Sequence, residues 1–175
     1  MSSSPEEVRS RARAVRLAIF DVDGVMTDGT LYLGEGGEPF KAFNIQDGHG
    51  VKMLQAAGVA TAILSGRASE AVSRRARELA ITYVVQGADD KVAAFERLRS
   101  ELALAREACA FMGDDLPDLG VMRICGFAAA PDNAVDGVKA AAHYVTRARG
   151  GRGAVREFCE LVLRSQGRLE APERG

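Results

Sequence analysis

At 175 residues the chain is long enough for a single domain with a sizeable core, and 47% hydrophobic and 27% charged residues are ordinary for a globular protein. A formal net charge of −1 excludes the basic excess of a nucleic-acid binder, and no apolar run approaches the ~18 residues of a membrane span. Three widely spaced cysteines, Cys109, Cys125 and Cys159, form no CxxC, so neither a disulfide framework nor a zinc site is indicated; they read as small buried hydrophobes in a reducing cytoplasm.

Residues 1–14 are polar and Arg-rich with no apolar segment behind them, which excludes a secretory signal and predicts a flexible tail or a short leading helix. Residues 15–20 form an apolar run read as a buried strand ending at Asp21. Residues 30–43 carry Thr30-Leu31-Tyr32-Leu33, a Gly34-Glu35-Gly36-Gly37 turn and then Pro39 to Phe43, a pattern that predicts an inserted β-hairpin. Such a hairpin is marginal in water by itself, so its apolar residues point to subunit contact. A helix is expected near 50–57, a strand over 58–64 and a helix near 68–79. A strand over 81–85 and a helix near 90–104 follow, the latter with Val92, Phe95, Leu98 and Leu102 at helical spacing. Further strands fall at 109–112, 126–129 and 144–145, with helices near 133–141 and 152–166. Alternation of this kind predicts an α/β fold, a doubly wound parallel sheet with helices on both faces. One domain over 15–167 is expected, followed by a flexible tail over 168–175.

In open parallel sheets ligands bind beyond the carboxyl ends of the strands. The polar clusters stand at four such ends: Asp21-Val22-Asp23-Gly24-Val25, Ser65-Gly66-Arg67, Lys91 at the start of a helix, and Gly113-Asp114-Asp115-Leu116-Pro117-Asp118. Asp21 and Asp23, two apart at a strand end, point the same way and repel unless a cation or a proton intervenes. Asp114 adds further negative charge. Mg²⁺ suits such a set of hard oxygens, and with Lys91 and Ser65 it turns the local field in favour of a phosphate. A carboxylate can then attack phosphorus. On this reading Asp21 is nucleophile and metal ligand, and Asp23 is acid/base, its carbonyl also facing the metal. Ser65 and Lys91 stabilise the transferring phosphoryl group. Asp114 ligates the metal, and Asp115 or Asp118 orients its water. Gly24 and Gly66 allow close backbone approach to phosphate. Taken singly, a DxD, a GDD or a Lys at a helix start is usually a turn, a cap or a solvated side chain; their order, each at a strand end, carries the weight.

These four clusters resemble the motifs of the haloacid dehalogenase superfamily of phosphatases. More narrowly, four stretches resemble its capless members that act on 3-deoxy-D-manno-octulosonate 8-phosphate. They are Phe20-Asp21-Val22-Asp23-Gly24-Val25, Lys41-Ala42-Phe43-Asn44-Ile45-Gln46-Asp47-Gly48, Gly113 to Asp118, and Tyr144-Val145-Thr146-Arg147 leading to Gly150-Gly151-Arg152-Gly153-Ala154-Val155-Arg156-Glu157. The resemblance runs from about Val15 to Gly167. It implies a homotetramer in which the hairpin lines the ring of subunits and a neighbour helps close each site. It also implies Asp21, Asp23 and Asp114 as metal ligands. Substrate contacts would fall on Asp23, Asn44, Ile45, Gln46, Asp47, Gly48, Lys52, Arg67, Arg75 and Lys91. Ser65 replaces the commoner Thr, and Gln46 and Lys52 stand where relatives carry Arg. The implied substrate, a small acidic sugar phosphate, presents a carboxylate and a phosphate far apart; Arg67 and Arg75 suit such oxygens. Arg152 and Arg156 are read either as reaching a neighbouring site or as structural. His49 is read as following an Asp47-Gly48 turn, and His143 as starting a strand. Two rivals remain at this point. One is a phosphatase for a nine-carbon acidic sugar 9-phosphate; the other is a phospho-receiver switch, which the placement of the acidic pair disfavours.

Overall fold

The computed structural model describes residues 3–37 and 40–169. Ser4 opens the first helix, α1 (Pro5–Ala14): its hydroxyl accepts from Glu7 N, and acidic Glu6 and Glu7 precede basic Arg11 and Arg13 along the helix dipole. Residues 5–14 are therefore the leading helix rather than a tail. Val8 and Ala12 are buried, and α1 packs on the last helix, α7 (Ala154–Ser165).

Outside the expected hairpin, every apolar run read as a strand contains one. β1 (Leu17–Phe20), β2 (Ala60–Leu64), β3 (Tyr83–Val85), β4 (Cys109–Met112), β5 (Phe127–Ala130) and β6 (Tyr144–Val145) form a parallel sheet in the order β3-β2-β1-β4-β5-β6. Alternation along β1 sends Leu17 and Ile19 to one face and Ala18 and Phe20 to the other. The first face is covered by α4 (Lys91–Glu101), α5 (Leu119–Met122) and α6 (Asp136–Ala141), with Phe95, Phe111 and Met122 filling the layer. The second is covered by α1, α2 (Ile45–Ala56), α3 (Glu70–Glu78) and α7. There Phe158 meets Phe20 edge-on at 5.8 Å and stacks on Phe127 at 5.6 Å. The doubly wound α/β fold is as expected. Register matters most for function: Phe20 aligns with Ile63 and Met112, which brings Asp21, Ser65 and Gly113-Asp114 to one end of the sheet.

Three local expectations change. First, α2 begins at Ile45, capped by Asn44, whose Oδ1 accepts from Gln46 N (2.8 Å) and Asp47 N (3.1 Å). Asp47 and Gly48 are thus in a helical turn, and His49 lies within the helix. The glycines that disguise this helix permit close packing: a Cβ on Gly50 would stand 3.1 Å from Arg156 Cα, and one on Gly48 would stand 2.3 Å from an Arg75 guanidinium nitrogen. Second, α5 is a single turn, too short to show periodicity. Third, the segment read as a hairpin contains a tight turn in which Gly34 and Gly37 exchange backbone bonds of 2.7 and 3.0 Å, but its described residues form no strand ladder. Two lone strands without a third or a packing surface do not hold a ladder. Pro39 lies outside the described residues, as do 170–175 of the expected C-terminal tail; Leu169 is packed at the edge of the core.

Candidate active site

The site is built on the turn that follows β1. Asp21 N–H bonds Met112 O, continuing the β1–β4 pairing by one residue. The chain then makes a wide turn, closed by Thr27 N–H onto Val22 O at 3.0 Å, in which Gly24 takes φ +88°. Within this turn the Asp21 carboxylate is buried, with Oδ1 accepting from Val22 N at 2.7 Å and Oδ2 lying 3.0 Å from Lys91 Nζ.

Lys91, the first residue of α4, reaches across to a second buried carboxylate, with Nζ 2.7 Å from Asp118 Oδ1. Asp118 Oδ2 accepts from Asp114 N (2.9 Å) and Asp115 N (3.2 Å), which folds the loop after β4 back on itself. Gly113 makes room for this, since a Cβ there would lie 2.5 Å from Asp118 Cγ. The Asp115 carboxylate instead caps the next turn, accepting from Leu116 N at 2.8 Å.

Asp21, Asp114 and Asp118 each offer an oxygen, all within 4.8 Å of one another. Burial and the Asp118 charge push the Asp21 carboxyl up to about 6, against the opposing pull of Lys91 and the Val22 N–H. Burial, then the charges of Asp21, Asp118 and Asp115, push Asp114 up to about 7. Burial works against the Lys91 ammonium but is outweighed by Asp21 and Asp118, so its pKa is raised. Asp114 Oδ1 is buried with no hydrogen-bond partner among the described residues. An all-oxygen set with an orphaned lone pair and crowded like charges fits a hard divalent cation.

Asp23 stands apart from this triad. Its Oδ1 is 2.6 Å from Lys41 Nζ and its Oδ2 is 3.7 Å from Arg67 Nε. Ser65 is buried, held by its N–H on Val85 O, and its Oγ accepts from Arg67 N at 3.3 Å. Asp21, Asp23, Ser65, Lys91, Asp114 and Asp118 face a cavity of about 310 Å³. Arg67 separates it from a wider one of about 700 Å³, lined also by Lys41, Phe43 and Arg75.

The remaining expected contacts divide. Arg75 is partly buried, 3.2 Å from Glu78 Oε2, with its guanidinium over the Phe43 ring at 5.9 Å. Asp47 is buried and serves the fold: its oxygens accept from Gly153 N (3.2 Å) and Arg156 N (2.8 Å) at the start of α7. Ile45, Gln46 and Lys52 lie on the solvent face of α2, and Ile45 is 83% exposed. Arg152 pairs with Asp28 at 3.3 Å and Arg156 with Glu160 at 2.7 Å, so within one chain both are structural. His143 accepts from Ala128 N at Nδ1, just ahead of β6, as expected for a strand start.

Of the two residues read as orienting metal-bound water, Asp118 lies against Asp21 and Asp114 and holds Lys91, while Asp115 caps the next turn. Two contributors were not singled out from sequence. Lys41 binds Asp23. Asn133 joins two loops, donating Nδ2 to Gly24 O at 2.9 Å and accepting from Gly150 N at 2.5 Å. Nothing local pointed to either.

Comparison with known proteins agrees with this architecture. The profile of the haloacid dehalogenase-like hydrolase family matches residues 84–157. The chain is 45% identical over 165 residues to the 3-deoxy-D-manno-octulosonate 8-phosphate phosphatase of Yersinia pestis, covering 94% of this chain and 88% of the relative. The crystal structure of the Moraxella catarrhalis phosphatase of that name, in complex with magnesium ion, phosphate ion and the KDO molecule, matches with a TM-score of 0.91 at 41% identity over 94% of each chain. The cobalt-bound form of the Haemophilus influenzae phosphatase matches with a TM-score of 0.88 at 38% identity, over 90% of this chain and 92% of that one. An aspartate on a wide turn after the first strand, a lysine that bridges it to a second loop, and relatives matched over nearly their whole length place this chain in the haloacid dehalogenase superfamily, in the family of 3-deoxy-D-manno-octulosonate 8-phosphate phosphatases.

Proposed function

We propose that this chain is a Mg²⁺-dependent phosphatase that releases phosphate from 3-deoxy-D-manno-octulosonate 8-phosphate, in lipopolysaccharide precursor synthesis. The observation that carries the reading is Asp21: a buried carboxylate with one oxygen on Val22 N–H, the other on Lys91, facing a cavity the size of a phosphate and its surroundings.

An Asp21 oxygen attacks phosphorus as the bond from phosphorus to the sugar oxygen breaks. Asp23 gives its proton to that leaving oxygen, and Lys91 and the Ser65 hydroxyl stabilise the charge on the phosphoryl oxygens. Asp23 then takes a proton from water, whose oxygen attacks the phosphorus of the aspartyl-phosphate. Inorganic phosphate leaves and the Asp21 carboxylate is restored. Mg²⁺ held by Asp21 and Asp114, with the main-chain carbonyl of Asp23, would supply the positive charge that lets a phosphate dianion approach four carboxylates. Asp118 is then free to hold Lys91 and the loop.

The wider cavity beyond Arg67 suits the sugar acid, with Arg67 and Arg75 as cations for its carboxylate. Ile45, Gln46 and Lys52 are exposed and line neither cavity, and Leu33 (73% exposed) and Phe40 (55% exposed) give the insert an uncovered apolar surface. These features support a homotetramer in which such side chains meet a neighbour. No helix among the described residues is long and apolar enough to cross a membrane. The free, buried cysteines are consistent with a cytoplasmic setting.

Phosphate release from the eight-carbon 8-phosphate and from a nine-carbon acidic sugar 9-phosphate, compared as kcat/KM, tests the assignment. Preference for the former is expected. Equal or reversed values would remove it, and absence of multiple turnover on either would favour a phospho-receiver.

A further inference from the structure

Lys41 is buried where a lysine is seldom buried. It belongs to the irregular insert, next to the exposed Phe40, yet its side chain is only 2% exposed. Lysines on loops normally keep their ammonium in water, and a buried one requires a charged partner. Among the described residues its carboxylate partner is Asp23, at 2.6 Å, within the range of a strong charge-assisted hydrogen bond. Asp23 needs such a partner. Its side chain is 22% exposed and lies on a turn, and the other cation near its carboxylate among the described residues is Arg67 at 3.7 Å, itself half exposed. Lys41 also lines the wider cavity. It therefore sits between the cavity where phosphorus reacts and the one suited to the leaving group.

We propose that Lys41 is a positioning residue that holds the Asp23 carboxylate toward the leaving-group oxygen. The inference rests on the phosphatase reading and on Asp23 as its proton donor. It gives the insert a part in the chemistry of its own subunit, separate from any contact with a neighbour.

The test uses leaving groups. A sugar alkoxide is a poor leaving group and needs a well-placed proton; p-nitrophenolate leaves without one. Lys41→Met, which keeps the length and removes the charge, is expected to lower kcat/KM, which reads the step in which the leaving group departs, on 3-deoxy-D-manno-octulosonate 8-phosphate about tenfold or more beyond its effect on p-nitrophenyl phosphate. KM for the nitrophenyl ester should stay within about twofold, as no ground-state contact is lost. Lys41→Arg should recover most of the ratio. Because both rates come from one preparation, the ratio does not depend on how much of the variant is folded. Equal loss on both esters, or an effect confined to KM, would overturn the proposal. Asp23→Asn serves as the control and should show the same dependence on leaving group. If it does not, the donor role of Asp23 fails, and the proposal for Lys41 with it. A wild-type protein inactive on both esters removes the phosphatase reading itself.

Discussion

A Cβ on Gly24 would lie 2.0 Å from Oδ2 of Asp114. The glycine after Asp23 is thus required twice: by its φ of +88° and by the carboxylate lodged against its face. Gly24→Ala is expected to displace Asp114 and distort the turn carrying Asp21 and Asp23. Turnover should fall by roughly a hundredfold or more, the scale of an ångström-sized misplacement of catalytic groups. Phosphate release and Mg²⁺ titration should change together. Wild-type turnover in this variant would show that Asp114 does not need the space.

The acidic triad links stability to pH and to metal. In the folded chain Asp21 and Asp114 bind protons at about 6 and about 7, well above the ordinary carboxylate value of 3.8. Between pH 4 and pH 7 the folded state therefore holds more protons than the unfolded one, and stability falls as pH rises. Without metal, the protein should melt several degrees lower at pH 8 than at pH 5. Mg²⁺ at pH 8 should recover most of the difference, because the proposed site on Asp21 and Asp114 exists only in the folded chain. Asp114→Asn should flatten the pH dependence and abolish the Mg²⁺ response. Melting curves with chelator and with Mg²⁺ decide it: a wild-type Tm indifferent to Mg²⁺ would contradict a metal site here.

Asp21→Asn separates nucleophile from scaffold. It removes the attacking oxygen and relieves the crowding of like charges, so turnover should be lost while the melting temperature at pH 8 without metal stays equal or rises. Phosphate-release assays and thermal denaturation on the same sample check both halves. Retained turnover would exclude Asp21 as nucleophile.

The sequence made the frame legible because β1, β2 and β4 are continuous apolar runs ending abruptly in polar residues. Asp21, Ser65, Lys91 and Asp114 follow from strand ends alone, since parallel register aligns those ends. What stayed hidden depends on tertiary packing. Gly48 read as part of a turn, yet it and Gly50 are the surface on which α2 receives Arg75 and α7. Asp47 looked like a substrate contact because it lies in a motif with Asn44; only the fold shows its carboxylate at the head of α7, more than a hundred residues away in sequence. Lys41 gave no signal because its burial depends on where an irregular segment lands.

That role for Asp47 has a measurable size. Its carboxylate takes two N–H groups of the first turn of α7, the helix that covers one face of the sheet. Losing a cap of this kind costs about 1–2 kcal/mol, which corresponds to a Tm lower by roughly 2–8 °C in a chain of this length. Asp47→Ala should show that loss, and Asp47→Asn, which keeps one acceptor, a smaller one. Denaturation midpoints will tell; an unchanged Tm in Asp47→Ala would mean that the cap does not stabilise α7.

The insert provides the last test. Leu31, Tyr32, Leu33 and Phe40 are exposed together, with Tyr32 and Phe40 stacked at 4.8 Å, while the described residues of the segment form no ladder of their own. A segment of this composition is stabilised by burial against another surface, at about 25 cal/mol for each Å² of apolar area removed from water. If that surface is another copy, a charge placed there should oppose assembly, because the charge would lose water on association. The wild-type chain is expected to sediment as a tetramer at micromolar concentration, and Leu33→Asp as a smaller species. Its kcat/KM on the acidic sugar phosphate should fall if Ile45, Gln46 and Lys52 serve a neighbour's cavity, as proposed. A wild-type chain that sediments as a monomer, or a dissociated Leu33→Asp with full activity, would separate the catalytic site from the assembly.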